Sequence, residues 1–234
     1  MEKIVDYTAT EYGSGKGDEA IALVAGFAGP ISDLEQAAID LADTGRDAVV
    51  YTYDPGILLE GDGELLPNII PVINDDFLGR TSNHSRHRFS GVSLGGAIAI
   101  GMQKLHPNPE HGLYAATGID AASLVMKHRL FGAMIMAVHK VDIVRAFRRN
   151  GYTLADLKSK WQDVQIPPDT AFTIALGGMD NIIHQRKMAR QVSEWHNQNP
   201  DIQIVSKRWL GHTGTIKWFN NNITSLLNSD STNN

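Results

Sequence analysis

Short apolar runs alternate with segments of helical period along most of the 234-residue chain. Six apolar or β-branched runs predict strands, and one further run near the start predicts an edge strand. The six lie at 20–25, 48–53, a short run ending at Gly91, 112–117, 171–176 and 202–207, and the edge strand at 3–10. Mainly apolar strands are typical of a sheet covered on both faces. The pattern therefore predicts an α/β protein with a mostly parallel sheet flanked by helices.

Helices are predicted between several of these strands. Five apolar residues recur at 3.6-residue spacing after the first buried strand: Ile31, Leu34, Ala37, Ala38 and Leu41. A segment rich in alanine and glycine follows Gly91, and its small residues would let a helix lie close to the sheet. Amphipathic patterns predict two more helices at 183–195 and 216–227.

One segment departs from the alternation. Residues 121–161 are helical in character throughout and hold eight basic residues against two acidic ones, whereas the whole chain has 21 Lys and Arg against 26 Asp and Glu. Such an asymmetry is typical of an insertion with a role of its own. We therefore expect a core formed by 1–120 and 168–234, with 121–167 as a helical insertion.

Composition excludes several classes of protein. The chain has no cysteine, which excludes disulfides, thiolate metal sites and a cysteine nucleophile. Its net charge of −5 argues against general nucleic-acid binding. No apolar run is long enough to span a bilayer, so integral membrane association is not expected. Residues 1–6 show no secretory signal, and we therefore expect a cytoplasmic location.

No cofactor or metal motif is found in the sequence. The segment from Gly13 to Gly17 resembles a phosphate loop, but the Ser or Thr required after Lys16 is missing, and we interpret it as a flexible loop. No dinucleotide fingerprint or metal-binding motif is present either. The sequence therefore predicts neither a cofactor nor a bound metal.

A G-x-S-x-G motif gives the sharpest chemical signal. It places Ser93 between a predicted strand and the alanine-rich helix, with Gly91 and Gly95 on either side. A serine at the tip of a tight strand-to-helix turn needs neighbours without side chains, because larger residues would collide there. The exposed hydroxyl would lie at a helix N-terminus, where unpaired N–H groups favour developing negative charge.

A serine nucleophile needs a base, and the base needs a third group to orient it. Asp180 lies in the loop that directly follows the strand at 171–176, and His212 lies in a glycine-bracketed loop between the last strand and the last helix. Both positions belong to the edge of the sheet where Ser93 is expected. The other eight histidines lie in polar loops, at turns or on predicted helices. Ser93, Asp180 and His212 are therefore the candidate nucleophile, acid and base.

Together these motifs make the chain similar to serine hydrolases of the α/β-hydrolase fold. The resemblance implies that the backbone N–H groups of Phe27 and Leu94 form an oxyanion hole and that the helical insertion is a cap over the active site. It also allows Asp120 as an alternative acid, although Asp180 is preferred. The chain departs from the common pattern in having Ala25-Gly26 where many members have His-Gly.

The function predicted from the sequence is hydrolysis of carboxylic esters through an acyl-enzyme intermediate, with a small-molecule acyl compound as substrate. One alternative is a thioesterase or acyltransferase with the same triad, in which the basic insertion would contact phosphates of an acyl thioester. Another is a hydrolase-like protein that binds a ligand without turnover. The oligomeric state stays open.

Overall fold

A central sheet organises the computed structural model, which describes residues 6–26, 31–117, 122, 134–161, 171–180 and 185–230. In this part of the chain the sheet has seven strands: β1 (Tyr7–Tyr12), β2 (Glu19–Val24), β3 (Asp47–Tyr53), β4 (Arg86–Val92), β5 (Gly112–Ala115), β6 (Phe172–Gly177) and β7 (Ile202–Lys207). Their order is β1-β3-β2-β4-β5-β6-β7, and only the β1–β3 pair is antiparallel. The predicted mostly parallel sheet is confirmed.

Helices cover both faces of the sheet. Those described are α1 (Ile31–Asp43), α2 (Leu65–Arg80), α3 (Leu94–Leu105), α4 (Met134–Arg149), α5 (Leu154–Lys160), α6 (Gln185–Gln198) and α7 (His212–Asp230), and a short 3-10 helix spans Pro55–Glu60. The chain moves from β2 to β3 in one direction along the sheet and from β4 to β5 in the other. Right-handed crossovers therefore place α1 and α3 on opposite faces. Strands β2 and β6 are buried along their whole length, as this arrangement requires.

The edge strand, β5 and α2 depart from the sequence prediction by more than a shift of one residue. The edge strand occupies Tyr7–Tyr12 rather than 3–10, and residues 3–5 of the predicted range lie outside the described chain. Strand β5 ends at Ala115, two residues early, because Ala116 takes a left-handed φ of 46°. Helix α2 was not predicted, since prolines at 67 and 71 interrupt its sequence pattern.

The glycine-rich loop at 13–17 is fixed by a buried carboxylate. The N–H groups of Gly15 and Gly17 each donate to Asp47 at 3.0 Å, and His84 Nε2 lies 2.7 Å from the same side chain. Burial acts to raise the pKa of Asp47, but these hydrogen bonds outweigh it and hold the pKa below its usual value. The loop thus encloses a carboxylate of the chain at the amino end of β3, so the expectation of a flexible loop was wrong.

Helices α4 and α5 pack on the segment that follows β3. Asn150 Nδ2 donates to the carbonyl oxygens of Glu60 and Gly61 at 2.7 and 3.0 Å, and Trp161 Nε1 donates to Gly63 O at 2.8 Å. Gly61 has a φ of 68°, and a Cβ there would overlap the backbone of Ala146. Backbone acceptors and a glycine contact therefore hold these helices against the core. The boundaries of the 121–167 insertion stay a prediction.

Candidate active site

Ser93 occupies a sharp turn between β4 and α3. Its backbone has φ 54° and ψ −122°, a conformation that is sparsely populated by residues other than glycine. A Cβ on Gly91 would overlap the carbonyl oxygen of Gly95, and a Cβ on Gly95 would overlap the carbonyl oxygens of Val24 and Ala25. The two glycines of the motif are therefore required because the turn packs against its own backbone and against the end of β2.

A threonine that the sequence reasoning missed supports this turn. The N–H of Ser93 donates to Ala115 O at 3.0 Å, and the hydroxyl of Thr117 donates to Ser93 O at 2.8 Å. Thr117 is fully buried, and the left-handed backbone of Ala116 directs it toward the turn. A threonine just after a strand carries no distinctive sequence signal, so only the pairing of β4 with β5 reveals its role.

The loop that carries Asp180 is bonded to the loop that leads to His212. Gly178 N–H donates to Lys207 O at 2.8 Å, and Met179 N–H donates to Leu210 O at 2.9 Å. Any Cβ on Gly178 would overlap backbone atoms of Arg208, so the approach depends on glycine. These main-chain contacts constrain the separation of Asp180 and His212 independently of the hydrogen bond between their side chains.

Ser93, His212 and Asp180 lie in one hydrogen-bonded line. His212 Nδ1 is 2.8 Å from Asp180 Oδ2, and His212 Nε2 is 3.1 Å from Ser93 Oγ. The side chain of Asp180 is 3% exposed and that of His212 is 10% exposed. An Nδ1–H that donates to the carboxylate leaves Nε2 unprotonated, so that Nε2 can accept the serine proton. The arrangement can thus remove a proton from the hydroxyl of Ser93, a residue that is itself buried.

Helix termini provide polar groups around this line. Leu94 is the first residue of α3 and is buried, and the first N–H groups of a helix have no acceptor within the helix. His212 is the first residue of α7, which begins four residues earlier than predicted. The prediction that His212 lies in a loop was therefore wrong in detail, although it does follow the carboxyl end of β7.

Two predicted site residues lie outside the described chain. These are Phe27, expected in the oxyanion hole, and Asp120, the alternative acid. In the described ranges no group of three or more His, Asp or Glu side chains is placed to hold a metal ion. Of the helices that the structure describes, none is both long and apolar enough to cross a membrane.

Comparison with solved structures identifies the fold. No protein-family model and no curated protein matches the chain. A structure from work on carboxylesterases of Nitrososphaera gargenis is similar with a TM-score of 0.61 and 11% sequence identity, over 98% of this chain and 97% of that chain. Mouse alpha/beta hydrolase domain-containing protein 10 is similar with a TM-score of 0.60 and 15% identity, over 98% of this chain and 96% of that chain. An esterase from Pyrococcus furiosus is similar with a TM-score of 0.58 and 11% identity, over 95% of this chain and 90% of that chain. The chain therefore has the α/β-hydrolase fold, and the resemblance seen in the sequence is confirmed at the level of the fold.

Proposed function

We propose that the protein is a serine hydrolase that cleaves carboxylic esters through an acyl-enzyme intermediate. One observation carries the proposal, namely the line of short contacts from Asp180 through His212 to Ser93. A carboxylate, an imidazole and a hydroxyl in this order are the groups that nucleophilic acyl transfer requires. Esterases among the structures of similar fold support the same class of substrate.

Acylation begins when His212 Nε2 takes the proton of Ser93 as Oγ attacks the ester carbonyl carbon. The carbonyl π electrons move to oxygen, and a tetrahedral oxyanion forms. Asp180 keeps the imidazole in the tautomer with hydrogen on Nδ1 and stabilises the imidazolium. His212 then gives its proton to the leaving alkoxide as the carbon–oxygen bond breaks. The products of this half-reaction are an alcohol and an acyl group on Ser93.

Deacylation repeats the steps with water as the nucleophile. His212 takes a proton from water, hydroxide adds to the acyl carbon, and Ser93 leaves with the proton returned by His212. In both halves the oxyanion would accept hydrogen bonds from the N–H of Leu94 and the N–H of Phe27; the place of Leu94 as the first residue of α3 supports the first of these roles. The insertion at 121–167 is proposed as a cap over this site.

Replacement of the nucleophile tests the proposal. With a short-chain p-nitrophenyl ester, we expect Ser93→Ala to lower kcat by about 10⁶, the order found when a triad serine is removed. Ser85→Ala is the matched control, because Ser85 is an exposed serine just before the amino end of β4, at the opposite edge of the sheet. Retention of most activity by Ser93→Ala would refute the assignment.

A covalent probe separates an enzyme from a binding protein of the same fold. A fluorophosphonate reacts with a serine only when a base activates the hydroxyl. We expect labelling of Ser93 at one probe per chain in the wild type, and none in Ser93→Ala. Absence of labelling in a folded wild-type protein would favour ligand binding without turnover over catalysis.

A further inference from the structure

An arginine-lined groove lies between α4 and the segment that follows β3. Its lining includes Leu59, Asp142 and three arginines at the end of α4, namely Arg145, Arg148 and Arg149, and its volume is about 790 Å³. Arg148 also lines an adjoining space of about 460 Å³ together with Tyr152 and Thr153. Volumes of a few hundred to about 1,000 Å³ are typical of small-molecule sites.

The charge of this groove is largely uncompensated by the residues that the structure describes. Arg145 Nη1 lies 3.5 Å from Asp142 Oδ1, and both side chains are more than half exposed. Among the described residues, neither Arg148 nor Arg149 forms an ion pair. A planar guanidinium presents paired N–H donors that match the oxygens of a phosphate. Three such groups against one carboxylate therefore favour an anion with several phosphate oxygens.

Topology places the groove at the same edge of the sheet as Ser93. Val24 of β2 is in register with Tyr51 of β3 and with Gly91 of β4, so the carboxyl ends of all three strands lie level. The 3-10 helix that carries Leu59 begins two residues after β3 ends. Since β3 and β4 are separated by one strand, their ends are about 10 Å apart across the sheet. The strand ends that lead to Ser93 and to the segment carrying Leu59 therefore lie at one edge of the sheet, separated by one strand.

We propose that Arg145, Arg148 and Arg149 bind a phosphate group carried by the acyl substrate. The proposal rests on the proposed function, because it assigns a substrate class to the same site. The ligand is a soluble phosphate-bearing ester or thioester, since the volume of this open groove is in the range of small-molecule sites. For a thioester, Ser93 attacks the carbonyl carbon, the carbon–sulfur bond breaks, and His212 protonates the departing thiolate. Water then releases the acid.

Binding to Ser93→Ala tests the arginine site independently of turnover. The ligands are butyryl-CoA and S-butyrylpantetheine, which share the acyl thioester but differ in the phosphorylated nucleotide. We expect Ser93→Ala to bind butyryl-CoA with a Kd at least about tenfold lower than that of S-butyrylpantetheine. Adding Arg148→Ala to this variant should raise the Kd of butyryl-CoA about five- to tenfold. The Kd of S-butyrylpantetheine should differ by no more than about twofold between Ser93→Ala and the double variant, because this ligand has no phosphate for Arg148 to contact.

Arg86→Ala is the matched control. Arg86 is an exposed arginine at the first position of β4, so its removal deletes the same charge at the opposite edge of the sheet. It should leave both Kd values unchanged. Raising NaCl from about 0.02 M to about 0.5 M should weaken butyryl-CoA binding in Ser93→Ala and have less effect when Arg148 is also replaced, because salt screens exposed charges.

Equal Kd values for the two ligands, or equal losses in Arg148→Ala and Arg86→Ala, would overturn the proposal. Sedimentation with phosphatidylglycerol and phosphatidylcholine vesicles tests whether the arginines bind a lipid headgroup instead of a soluble ligand. Binding of phosphatidylglycerol alone that requires Arg148, without any preference for butyryl-CoA, would overturn the assignment to a soluble ligand. Failure of the proposed function is separately visible, because it would appear as missing ester hydrolysis and missing fluorophosphonate labelling in the wild type.

Discussion

Gly178 controls how closely the Asp180 loop approaches the loop before His212. A Cβ built on Gly178 lies only 2.5 Å from Arg208 Cα, whereas ordinary van der Waals contacts begin at 3.4 Å. The carbonyl group of Arg208 lies closer still to this Cβ, so Gly178→Ala must separate the two loops by at least about 1 Å. A displacement of about 1 Å in a catalytic group costs about 10²-fold in rate. We expect kcat for ester hydrolysis to fall by about that factor.

The same substitution should lower stability. Separation of the loops strains the bonds from Gly178 N–H to Lys207 O and from Met179 N–H to Leu210 O, each worth about 1 kcal/mol net. We therefore expect the free energy of unfolding in urea to fall by about 2 kcal/mol when both are lost. A folded fraction measured by circular dichroism at the assay temperature separates lost catalysis from lost folding.

Gly211→Ala provides the control in the partner loop. The nearest atom to a Cβ at Gly211 is Met179 O at 3.7 Å, an ordinary contact, and the backbone of Gly211 is not left-handed. This variant should keep kcat within about twofold, since no atom has to move. Wild-type kcat in Gly178→Ala, or equal losses in both variants, would refute the reasoning that the main-chain approach of the loops positions the acid and base.

Two further variants test Thr117, which bonds to the turn at Ser93, and His111, which directly precedes β5 at the amino edge of the sheet. Thr117→Val removes the hydroxyl that donates to Ser93 O and should lower kcat about tenfold with little change in KM, so an unchanged kcat in steady-state assays would contradict the role of Thr117. Burial, followed by the nearby Arg88, lowers the pKa of His111 to about 4. The unfolded chain takes up this proton near pH 6.5, so the stabilising contribution is complete above about pH 6.5 and is lost as pH falls toward 4. Between pH 7.5 and 5.0 that loss is about 2 kcal/mol in urea denaturation, and His111→Gln should abolish it, whereas an identical pH dependence in both proteins would exclude His111 as its source.

Much of the fold could be predicted because burial on both faces leaves a strong apolar signal. Strand β7 has the predicted bounds, and β2, β3 and β6 differ from prediction by one residue. Strand β4 was harder, because its start is polar. There Arg88 is buried and its Nε donates to Glu19 Oε1 at 3.0 Å, a pairing across strands that the local sequence does not reveal.

The missed elements depend on backbone conformation and long-range contact. Helix α2 contains Pro71, which removes a backbone donor and weakens a helical pattern, yet buried residues such as Ile69, Ile73 and Phe77 hold the helix in place. For the site, the glycine spacing around Ser93 and the strand-end positions of Asp180 and His212 were visible in the sequence. The support from Thr117 was not, because it comes from a neighbouring strand.

The loops at 177–180 and 207–211 are bonded to each other through their main chains, whereas some of their side chains are exposed and make no part of that contact. Asp180 and His212 are held near each other by bonds between peptide groups, which need glycine at position 178 but do not involve the side chains of Met179 and Trp209. Met179 and Trp209 project from the same loops and are 62% and 76% exposed. Random mutagenesis at these two positions therefore changes exposed surface beside the candidate active site without altering the main-chain bonds between the loops, which makes them suitable starting points for varying that surface.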